Sequence, residues 1–407
     1  MINTGIHSRR RLTFFVTLVA VLALTGAATW ADRDDPPTDW CQWGVHPQDP
    51  HIALSPDGLV AASAGGASDG SNSTIKLWDA ETGDLIREIE LVGWPGSVAI
   101  SSQGYVAAAI SSGLNIVTVY DLATGEHVLT IHDFGSRVPQ IIFSPDGSML
   151  AVAETNALIK TYAVPEGALV REYLYPLLPS VPEAIAFSPA GDMLASSGHM
   201  GGGPKISVFD FPGGEPVVEL GWEHAPAMSD VDFSNDGTML GATASDGFLR
   251  IYDTSDWTLL HEFDSEHLSN ATSASEFAFS PDGRSIIWGV YGGAVATLVL
   301  HLDAEYLLAT YVNGAYDDSP AFTPDGKHFL RGGYSGGLCM HGYEFDWVSS
   351  DLTGNCVVNL SDLALLLSNY GCSNCGPRDG DLNGDGQVGL ADLATLLAHY
   401  GKSCFPE

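Results

Sequence analysis

Short stretches of alternating apolar and polar residues recur along most of the chain, a pattern typical of strands that bury one face. In one unit, residues 138–143 alternate and end in Phe143, residues 148–153 return as a second strand, and residues 158–163 and 168–173 supply a third and a fourth. The first two strands are joined by Ser-Pro-Asp-Gly, with proline and glycine where tight turns prefer them. The pattern therefore predicts a unit of four short antiparallel strands.

This turn sequence, or a close variant of it, follows an apolar residue seven times. The intervals are 43 to 46 residues, and the apolar residues are Leu54, Ile100, Phe143, Phe187, Phe233, Phe279 and Phe322. Such a period marks an array of supersecondary units that bury their faces only against their neighbours. Seven four-stranded units predict an all-β, seven-bladed propeller, with six or eight blades as the alternatives.

Four of the predicted third strands end in an aromatic residue followed by aspartate. They end at Trp78-Asp79, Tyr120-Asp121, Phe209-Asp210 and Tyr252-Asp253. This pattern resembles the WD40 repeat over about residues 50–346, although the Gly-His dipeptide that often opens such repeats is missing and blades 3, 6 and 7 lose the aromatic-Asp pair. The resemblance implies a WD40-like propeller. We expect the four aspartates to cap turns, because Asp readily bonds backbone amides two residues on.

The last blade is one strand short. It begins near Pro320, and its third strand, near Leu338, is followed so soon by the Asp/Asn-rich segment at Asp351 that no ordinary fourth strand fits. Residues 40–45 precede the first blade and are the natural donor. We therefore predict a propeller over residues 40–348, closed by pairing its first and last segments.

Residues 349–407 follow a different pattern, with two Asp/Asn-rich loops that each precede a short apolar helix ended by glycine. A calcium loop supplies hard oxygen ligands from positions 1, 3, 5, 7 and 12 and turns sharply at position 6, where glycine fits. The second loop offers Asp381, Asn383, Asp385, the carbonyl of Gln387, and Asp392, with Gly386 at the turn. The first offers Asp351, Thr353, Asn355, the carbonyl of Val357, Asn359 and Asp362, with Cys356 at the turn. The sequence predicts two Ca²⁺ sites, the one at 381–392 stronger because it has three carboxylates against two.

No helix is predicted before either loop, and a duplicated loop-then-helix unit with Asp at position 12 resembles a type I dockerin over residues 351–404. The resemblance implies docking onto a cohesin-bearing protein, read in part by loop positions 10 and 11. Those positions hold Leu360, Ser361, Leu390 and Ala391, which depart from the small polar pairs common in the family. The predicted fold is thus a WD40-like propeller plus a small α-helical, dockerin-like domain. The alternatives for the tail are generic Asp/Asn-rich turns and calcium sites that only stabilise.

The N-terminus has the order of a secretory signal peptide: basic residues 9–11, an apolar run over 12–28, and a small residue at Ala31. We expect cleavage after Ala31 and a secreted or extracytoplasmic protein; an uncleaved anchor is the alternative, and the Sec and twin-arginine routes both stay open. No other stretch is long and apolar enough to span a membrane.

Six cysteines in an exported protein suggest disulfides. Cys41 on the closing strand and Cys339 on the neighbouring strand are predicted to pair. The tail holds the other four, with three possible connectivities: Cys356, Cys372, Cys375 and Cys404. A zinc site at the Cys372–Cys375 pair is the alternative.

Charge excludes one class of partner. The chain carries 50 acidic and 16 basic residues, a formal net charge of -34. Nucleic-acid binding draws most of its affinity from Lys and Arg on phosphates, so nucleic acid is not an expected ligand.

Catalytic chemistry is only weakly indicated. The polar loop residues that stand out are His199, Glu223, His224, Asp230, Asp317 and Asp318, and solvent-facing polar side chains with no catalytic role are the favoured explanation for them. No nucleophile motif, metal-spaced His pair or phosphate loop accompanies them. We therefore expect a noncatalytic propeller that binds a protein or glycan and is tethered by its calcium-binding tail. A hydrolase- or lactonase-like propeller enzyme delivered to a polysaccharide-degrading assembly, and a structural envelope or matrix protein, are the alternatives.

Overall fold

The computed structural model describes most of the chain from Thr38 onward. The described ranges are 38–42, 45–47, 50–67, 69–111, 113–132, 134–174, 180–200, 203–222, 227–292, 296–312, 320–333, 337–343, 346–373, 375–383 and 385–403. The predicted signal peptide, residues 1–31, lies outside them. All described residues belong to one compact unit, Pro36–Glu407.

Strands make up nearly all of the regular structure. In chain order they are β1 Thr38–Gln42, β2 His51–Leu54, β3 Val60–Gly65, β4 Thr74–Asp79, β5 Leu85–Glu90, β6 Pro95–Ile100, β7 Tyr105–Ile110, β8 Ile116–Asp121, β9 His127–Ile131, β10 Ile141–Phe143, β11 Met149–Glu154, β12 Leu158–Ala163, β13 Leu169–Leu174, β14 Ser180–Phe187, β15 Met193–Met200, β16 Gly203–Asp210, β17 Pro216–Gly221, β18 Met228–Phe233, β19 Met239–Ala244, β20 Phe248–Asp253, β21 Leu259–Asp264, β22 Ser273–Phe279, β23 Ser285–Tyr291, β24 Ala296–His301, β25 Tyr306–Val312, β26 Ala321–Phe322, β27 His328–Gly333 and β28 Gly337–Gly342. The described helices are α1 Ser265–Ser269, α2 Leu360–Ser368 and α3 Leu390–Ala398, with short 3₁₀ segments at Asp346–Ser350 and Pro377–Asp379.

In the described part of the chain the strands form seven antiparallel sheets of four strands each. Blades 1 to 6 use consecutive strands, from β2–β5 in blade 1 to β22–β25 in blade 6. Blade 7 contains β26, β27, β28 and then β1 at its outer edge. The predicted seven-bladed, all-β propeller is confirmed.

The N-terminal strand completes blade 7 and closes the ring. This closure was predicted because the sequence of blade 7 leaves no room for an ordinary fourth strand. Strand β1 pairs antiparallel with β28, and Cys41 lies opposite Cys339. The closing strand covers residues 38–42, slightly before the predicted 40–45. Trp40 is buried in a cluster that contains Leu338 and Met340 of blade 7 and Trp78 of blade 1, so β1 packs against both ends of the propeller.

The repeated Ser-Pro-Asp-Gly turn is a hydrogen-bonded unit. In blade 3, Ser144 donates from Oγ to Asp146 Oδ1 at 2.6 Å, and its Oγ accepts from the Met149 amide at 3.0 Å. Gly147 has φ +72°, a left-handed conformation that glycine adopts without strain. Ser144, Asp146 and Gly147 therefore each have a structural reason to recur in the motif.

The strands of a blade differ in how many of their faces are buried. Apolar and polar residues therefore alternate clearly in some strands and not in others. Outer strands such as β5 expose most of their residues, whereas second strands such as β7 are buried on both faces. Those second strands use alanine heavily, as at Ala107, Ala108 and Ala109. Small side chains let neighbouring blades approach closely at native packing density.

The C-terminal segment adds α2 and α3. Their buried residues Leu366 and Leu396 pack with Val348, Val358 and Val388 in one small core. No helix in the described part of the chain has the length and apolar character needed to cross a membrane.

Candidate functional site: two acidic loops and an apolar helix surface

The second acidic loop folds around two buried carboxylates. Asp381 accepts hydrogen bonds from the Asp385 amide at 3.2 Å and the Gly386 amide at 2.8 Å. Asp392 accepts one from the Asn383 amide at 3.2 Å. Loop positions 1, 3, 5 and 12 are therefore brought together. Their side-chain oxygens come from residues that the sequence predicted as calcium ligands.

The first loop repeats this arrangement at the equivalent positions. Asp351 accepts hydrogen bonds from the Asn355 amide at 3.1 Å and the Cys356 amide at 2.6 Å. Asp362 accepts from the amide and the hydroxyl of Thr353, at 2.9 and 2.7 Å. The two loops therefore share one internal geometry despite their different sequences.

At loop position 6, the first loop has a cysteine where the calcium-loop pattern has glycine. Gly386 has φ +78°, and Cys356 adopts almost the same conformation with φ +64°. A side chain in the left-handed region costs about 1–2 kcal/mol, a penalty that glycine avoids. The first loop therefore carries strain that the second does not.

The other predicted ligands lie on the same loops but share their oxygens with the backbone. The backbone amide of Gln387 donates to Asp385 Oδ1 at 2.9 Å, so the carboxylate of this predicted ligand already accepts a hydrogen bond within the loop. Asn359 donates to the Val357 carbonyl at 2.9 Å, while its own side-chain oxygen accepts from the Ser361 amide at 2.8 Å. Asn359 thus acts as the N-cap of α2, a role in competition with metal binding at position 9.

The donor set suits Ca²⁺. Asp362 and Asp392 are buried, and neither forms an ion pair among the described residues. Burying a carboxylate without a compensating cation costs several kcal/mol, so a divalent cation would offset that cost directly. The carboxylate, hydroxyl and amide oxygens of these loops are also ligands that Ca²⁺ prefers.

Disulfides are present in both parts of the described chain. Cys41 and Cys339 are bonded to each other, and Cys372 is bonded to Cys375, where zinc ligation was the alternative. Cys356 is also disulfide-bonded, and Cys404 lies outside the described residues.

The two helices expose an unusual amount of apolar surface. At the predicted partner-reading positions, Leu360 is 69% exposed and Leu390 is 75% exposed. Ser361 and Ala391 beside them are also exposed. Further exposed apolar side chains follow seven and ten residues after each leucine, and they are Leu367, Tyr370, Leu397 and Tyr400. Leu360 and Leu367 share one face of α2, as Leu390 and Leu397 share one face of α3, and each tyrosine lies two residues beyond its helix, so the two helices present equivalent apolar stripes.

The propeller contributes contacts to the first loop that the sequence did not reveal. Buried His301 lies 3.3 Å, Nε2 to Oδ2, from Asp351. Buried Arg284 donates hydrogen bonds to the carbonyls of Asp351 and Leu352. The only sequence signal was a basic residue after the turn glycine of blade 6, and nothing local shows that this residue is buried.

A second polar region lies in the central channel. The inner strands enclose a cavity of 430 Å³ whose lining includes Glu183, Asp230, Asp232 and Glu276. Burial and the neighbouring Glu276 and Asp232 carboxylates raise the pKa of Asp230 well above its usual value. Burial raises the pKa of Asp232 to about 7. Of this group the sequence singled out only Asp230.

Asp230 has a structural task in this channel. Its Oδ1 accepts from the Val231 amide at 2.8 Å and its Oδ2 from the Phe277 amide at 3.1 Å. Because Val231 belongs to blade 5 and Phe277 to blade 6, the carboxyl group braces adjacent blades. Both oxygens are engaged, which leaves little of the group for substrate.

The side chain of His199 and all of Glu223, His224, Asp317 and Asp318 lie outside the described residues.

The aspartates at the ends of the third strands cap turns, as predicted. Asp79 accepts from the Thr82 amide at 2.9 Å, Asp121 from the Thr124 amide at 2.7 Å, and Asp253 from the Ser255 amide at 2.8 Å. Asp210 accepts from the Glu215 amide. They lie in separate blades and do not form a carboxylate cluster.

Comparison with known sequences identifies the repeat. Residues 214–253, which contain β17 to β20, match the WD domain, G-beta repeat family. WD repeat-containing protein 36 of Homo sapiens is 28% identical over 32% of this chain and 14% of its own length. The periodic tryptophan protein 2 homolog of Dictyostelium discoideum is 24% identical over 64% of this chain and 29% of its own. The match therefore spans less than a third of either relative.

A third relative and one solved structure are also similar to this chain. The methylamine dehydrogenase heavy chain of Paracoccus versutus is 32% identical over 30% of this chain and 28% of its own length. Among solved structures, Kuenenia stuttgartiensis hydrazine synthase superposes with a TM-score of 0.64 over 79% of this chain and 99% of the matched chain, at 18% identity. At that identity the superposition shows a shared fold alone. The sheet topology and the matched repeat together show a WD40-like, seven-bladed β-propeller.

Proposed function

We propose that this protein is an exported, noncatalytic interaction propeller, tethered to a cohesin-bearing partner by a calcium-binding, dockerin-like tail. The propeller presents its ligand surface, for a protein or a glycan, and the tail fixes where that surface is displayed. The similarity to WD-repeat proteins supports the interaction role of the propeller.

The observation that carries the tethering role is the pair of equivalent apolar stripes on α2 and α3. Each stripe begins with a leucine at loop position 10, Leu360 or Leu390, and these are among the most exposed large apolar side chains described. Exposed apolar groups that cluster on one surface mark sites of protein association more often than isolated ones do. Their repetition at the same helix positions suits a duplicated docking module.

Calcium has a defined place in this proposal. The loops that would hold it lead directly into α2 and α3, since Asp362 and Asp392 are both loop position 12 and residue three of their helices. Each carboxylate also accepts from the amide of the N-cap residue, Asn359 or Gly389, at 2.7 Å. A filled loop would therefore fix the start of the helix that carries the apolar stripe.

The test is capture by the full-length mature protein from the secretome of the producing cells, with calcium or with chelator, and identification by mass spectrometry. We expect calcium-dependent capture of a cohesin-bearing protein. The double variant Leu367→Ser, Leu397→Ser should lose at least 90% of the capture, in line with the loss of central apolar contacts.

A matched control uses equally exposed apolar residues of the propeller. Leu85 and Leu259, on the outer strands of blades 1 and 5, are exposed to about the same degree as Leu367 and Leu397. The double variant Leu85→Ser, Leu259→Ser should capture the partner normally. If chelator leaves capture unchanged, or if both double variants behave alike, the tail is not the tether.

The channel carboxylates favour one second candidate, a hydrolase-like site in the propeller. Asp232 and Glu276 line the cavity together with Asp230, and the raised pKa of Asp232 is a feature of general acids. Activity against glycoside and lactone substrates that disappears in Asp232→Asn, with the fold intact, would establish this alternative over the noncatalytic role.

A further inference from the structure

The first acidic loop is built into the junction between the tail and blade 6. Asp351, at loop position 1, is fully buried, and so is His301 at the end of β24. The imidazole Nε2 of His301 lies 3.3 Å from Asp351 Oδ2, the oxygen that also accepts from the Cys356 amide. A propeller side chain therefore completes the hydrogen bonding of a predicted calcium ligand.

Arg284 holds the backbone of the same loop. It is 1% exposed, and its guanidinium group donates to the carbonyls of Asp351 and Leu352, the latter at 3.4 Å. Planar guanidinium donors of this kind fix the groups they contact in direction as well as distance. The backbone carbonyls at loop positions 1 and 2 are thus oriented by a side chain of the propeller.

Asp303, in the loop after β24, extends the junction. It pairs with Arg284 at 3.9 Å and with Arg378 of the tail at 3.2 Å. It also packs against loop position 4, where a Cβ on Gly354 would lie 2.6 Å from the Asp303 Cβ. Blade 6 therefore contacts the loop at three of its first four positions.

Apolar contact supports the same junction. Leu308 on β25 packs against the tail core that contains Leu352 and Leu366, and also against the core shared by blades 6 and 7. The tail and blade 6 are therefore joined by buried charge, hydrogen bonds and apolar packing together.

We propose that His301, Arg284 and Asp303 are positioning residues for the first calcium loop, so that calcium binding there and attachment of the tail to blade 6 strengthen each other. This inference rests on the proposed calcium binding of the tail. Two equilibria that share the Asp351 loop are linked, and each must favour the other by the same factor. The weaker ligand set of the first loop, with Cys356 in a left-handed conformation, is supported by the propeller.

Hydrogen exchange on the full-length protein is the first test. Adding calcium chloride after chelator treatment should slow exchange in blade 6 over residues 280–302, because their tail contacts are reinforced. Residues 98–121 of blade 2 serve as the internal control and should not change. If calcium binds, by calorimetry, but blade 6 exchanges at the same rate with and without it, the inference is wrong while the calcium-binding tail stands. If the wild-type protein binds no calcium, the proposed function fails as well.

Calorimetry of variants is the second test, with calcium as the only probe. In an Asp381→Asn background, which disables the second loop, the first loop is measured alone. His301→Leu should lower its calcium affinity by about 5-fold or more, at the lower end of usual coupling between sites. His301→Gln, whose side-chain amide keeps a donor at similar reach, should stay within about 2-fold of the background.

Asp303→Asn is an independent test of loop positioning, because it leaves the buried His301 unchanged. It removes a charge that pairs with Arg284 and Arg378, and it should lower first-loop affinity by about 5-fold without changing blade 2 exchange. If His301→Leu and Asp303→Asn bind calcium as tightly as the Asp381→Asn background does, the propeller does not position the loop. A rescue by glutamine alone would support the role assigned to His301.

Discussion

The indole Nε1 of Trp40 donates a hydrogen bond to the carbonyl oxygen of Ala80 at 2.9 Å, across 40 residues of sequence. Trp40 belongs to the closing strand of blade 7, and Ala80 follows the third strand of blade 1. The side chain therefore joins the outer strand of the last blade to the first blade, in addition to the strand pairing with β28.

Replacing Trp40 should destabilise the whole propeller. Trp40→Phe removes the hydrogen bond and leaves the Ala80 carbonyl unsatisfied, at a cost of about 1–2 kcal/mol in the free energy of unfolding. Trp40→Ala also removes buried apolar area, and about 3–5 kcal/mol is expected. Urea unfolding measures both. Ile86→Ala, at a half-exposed site on β5, should change stability by less than about 0.5 kcal/mol, and a similar loss there would contradict the assignment to ring closure.

The Cys41–Cys339 disulfide should stabilise the propeller more than the tail disulfide does. It closes a segment with a sequence separation of 298, whereas Cys372 and Cys375 are 3 residues apart. Chain entropy lost by the unfolded state grows with loop length, so Cys41→Ala, Cys339→Ala should cost about 3 kcal/mol or more. The matched double variant Cys372→Ala, Cys375→Ala should leave the propeller transition unchanged in differential scanning calorimetry. Equal shifts from the two pairs would count against the entropic argument.

Gly386→Ala tests the turn of the second loop. No atom lies within 4 Å of a Cβ built at this position, so the φ of +78° is the main source of strain. A penalty of about 1 kcal/mol corresponds to a roughly 5-fold loss of calcium affinity in calorimetry. Gly389→Ala is the control, because φ is −142° there and the nearest atom to a Cβ lies at 3.9 Å. The turn is not limiting if the two variants bind calcium equally well.

Asp232 should make stability depend on pH. Burial raises its folded pKa to about 7 from an ordinary 3.8, so the folded state takes up a proton between these values. Its contribution to stability is complete below pH 3.8 and is lost as the pH rises through 7. Asp232→Asn should therefore match wild type near pH 4 and exceed it by up to about 4 kcal/mol at pH 8, measured by urea unfolding.

Asp57 is the control, because its ionisation should change stability with pH in the opposite direction. Hydrogen bonds from the Ser55 hydroxyl and the Leu59 amide lower the pKa of Asp57, so its contribution is present above its ordinary pKa and lost as the pH falls. Asp57→Asn should be less stable than wild type at pH 8. If the two variants shift stability in the same direction at pH 8, the channel assignment is wrong.

Local pattern was sufficient to predict the blades, the turns and the strand that closes the ring. Each depends on residues near one another in sequence, such as Ser144 and Asp146, or on a count of strands. The contacts of Asp351 with His301 and of Asp230 with Phe277 join residues 50 and 47 apart. They arise from how blades and tail pack, and no local pattern encodes that packing. Alternation also fails in strands such as β7, where both faces are buried.

The Cys41–Cys339 disulfide determines which parts of the molecule would carry the load if the chain were pulled at its two ends. Cys41 lies at the N-terminal end of the described chain, and Cys339 lies on the last strand before the tail. A pull between the N-terminus and the tail would pass from Cys41 directly to Cys339, and then through residues 340–359 to α2. Blades 1 to 5 would carry almost none of that force, so a propeller held under tension would keep most of its blades folded.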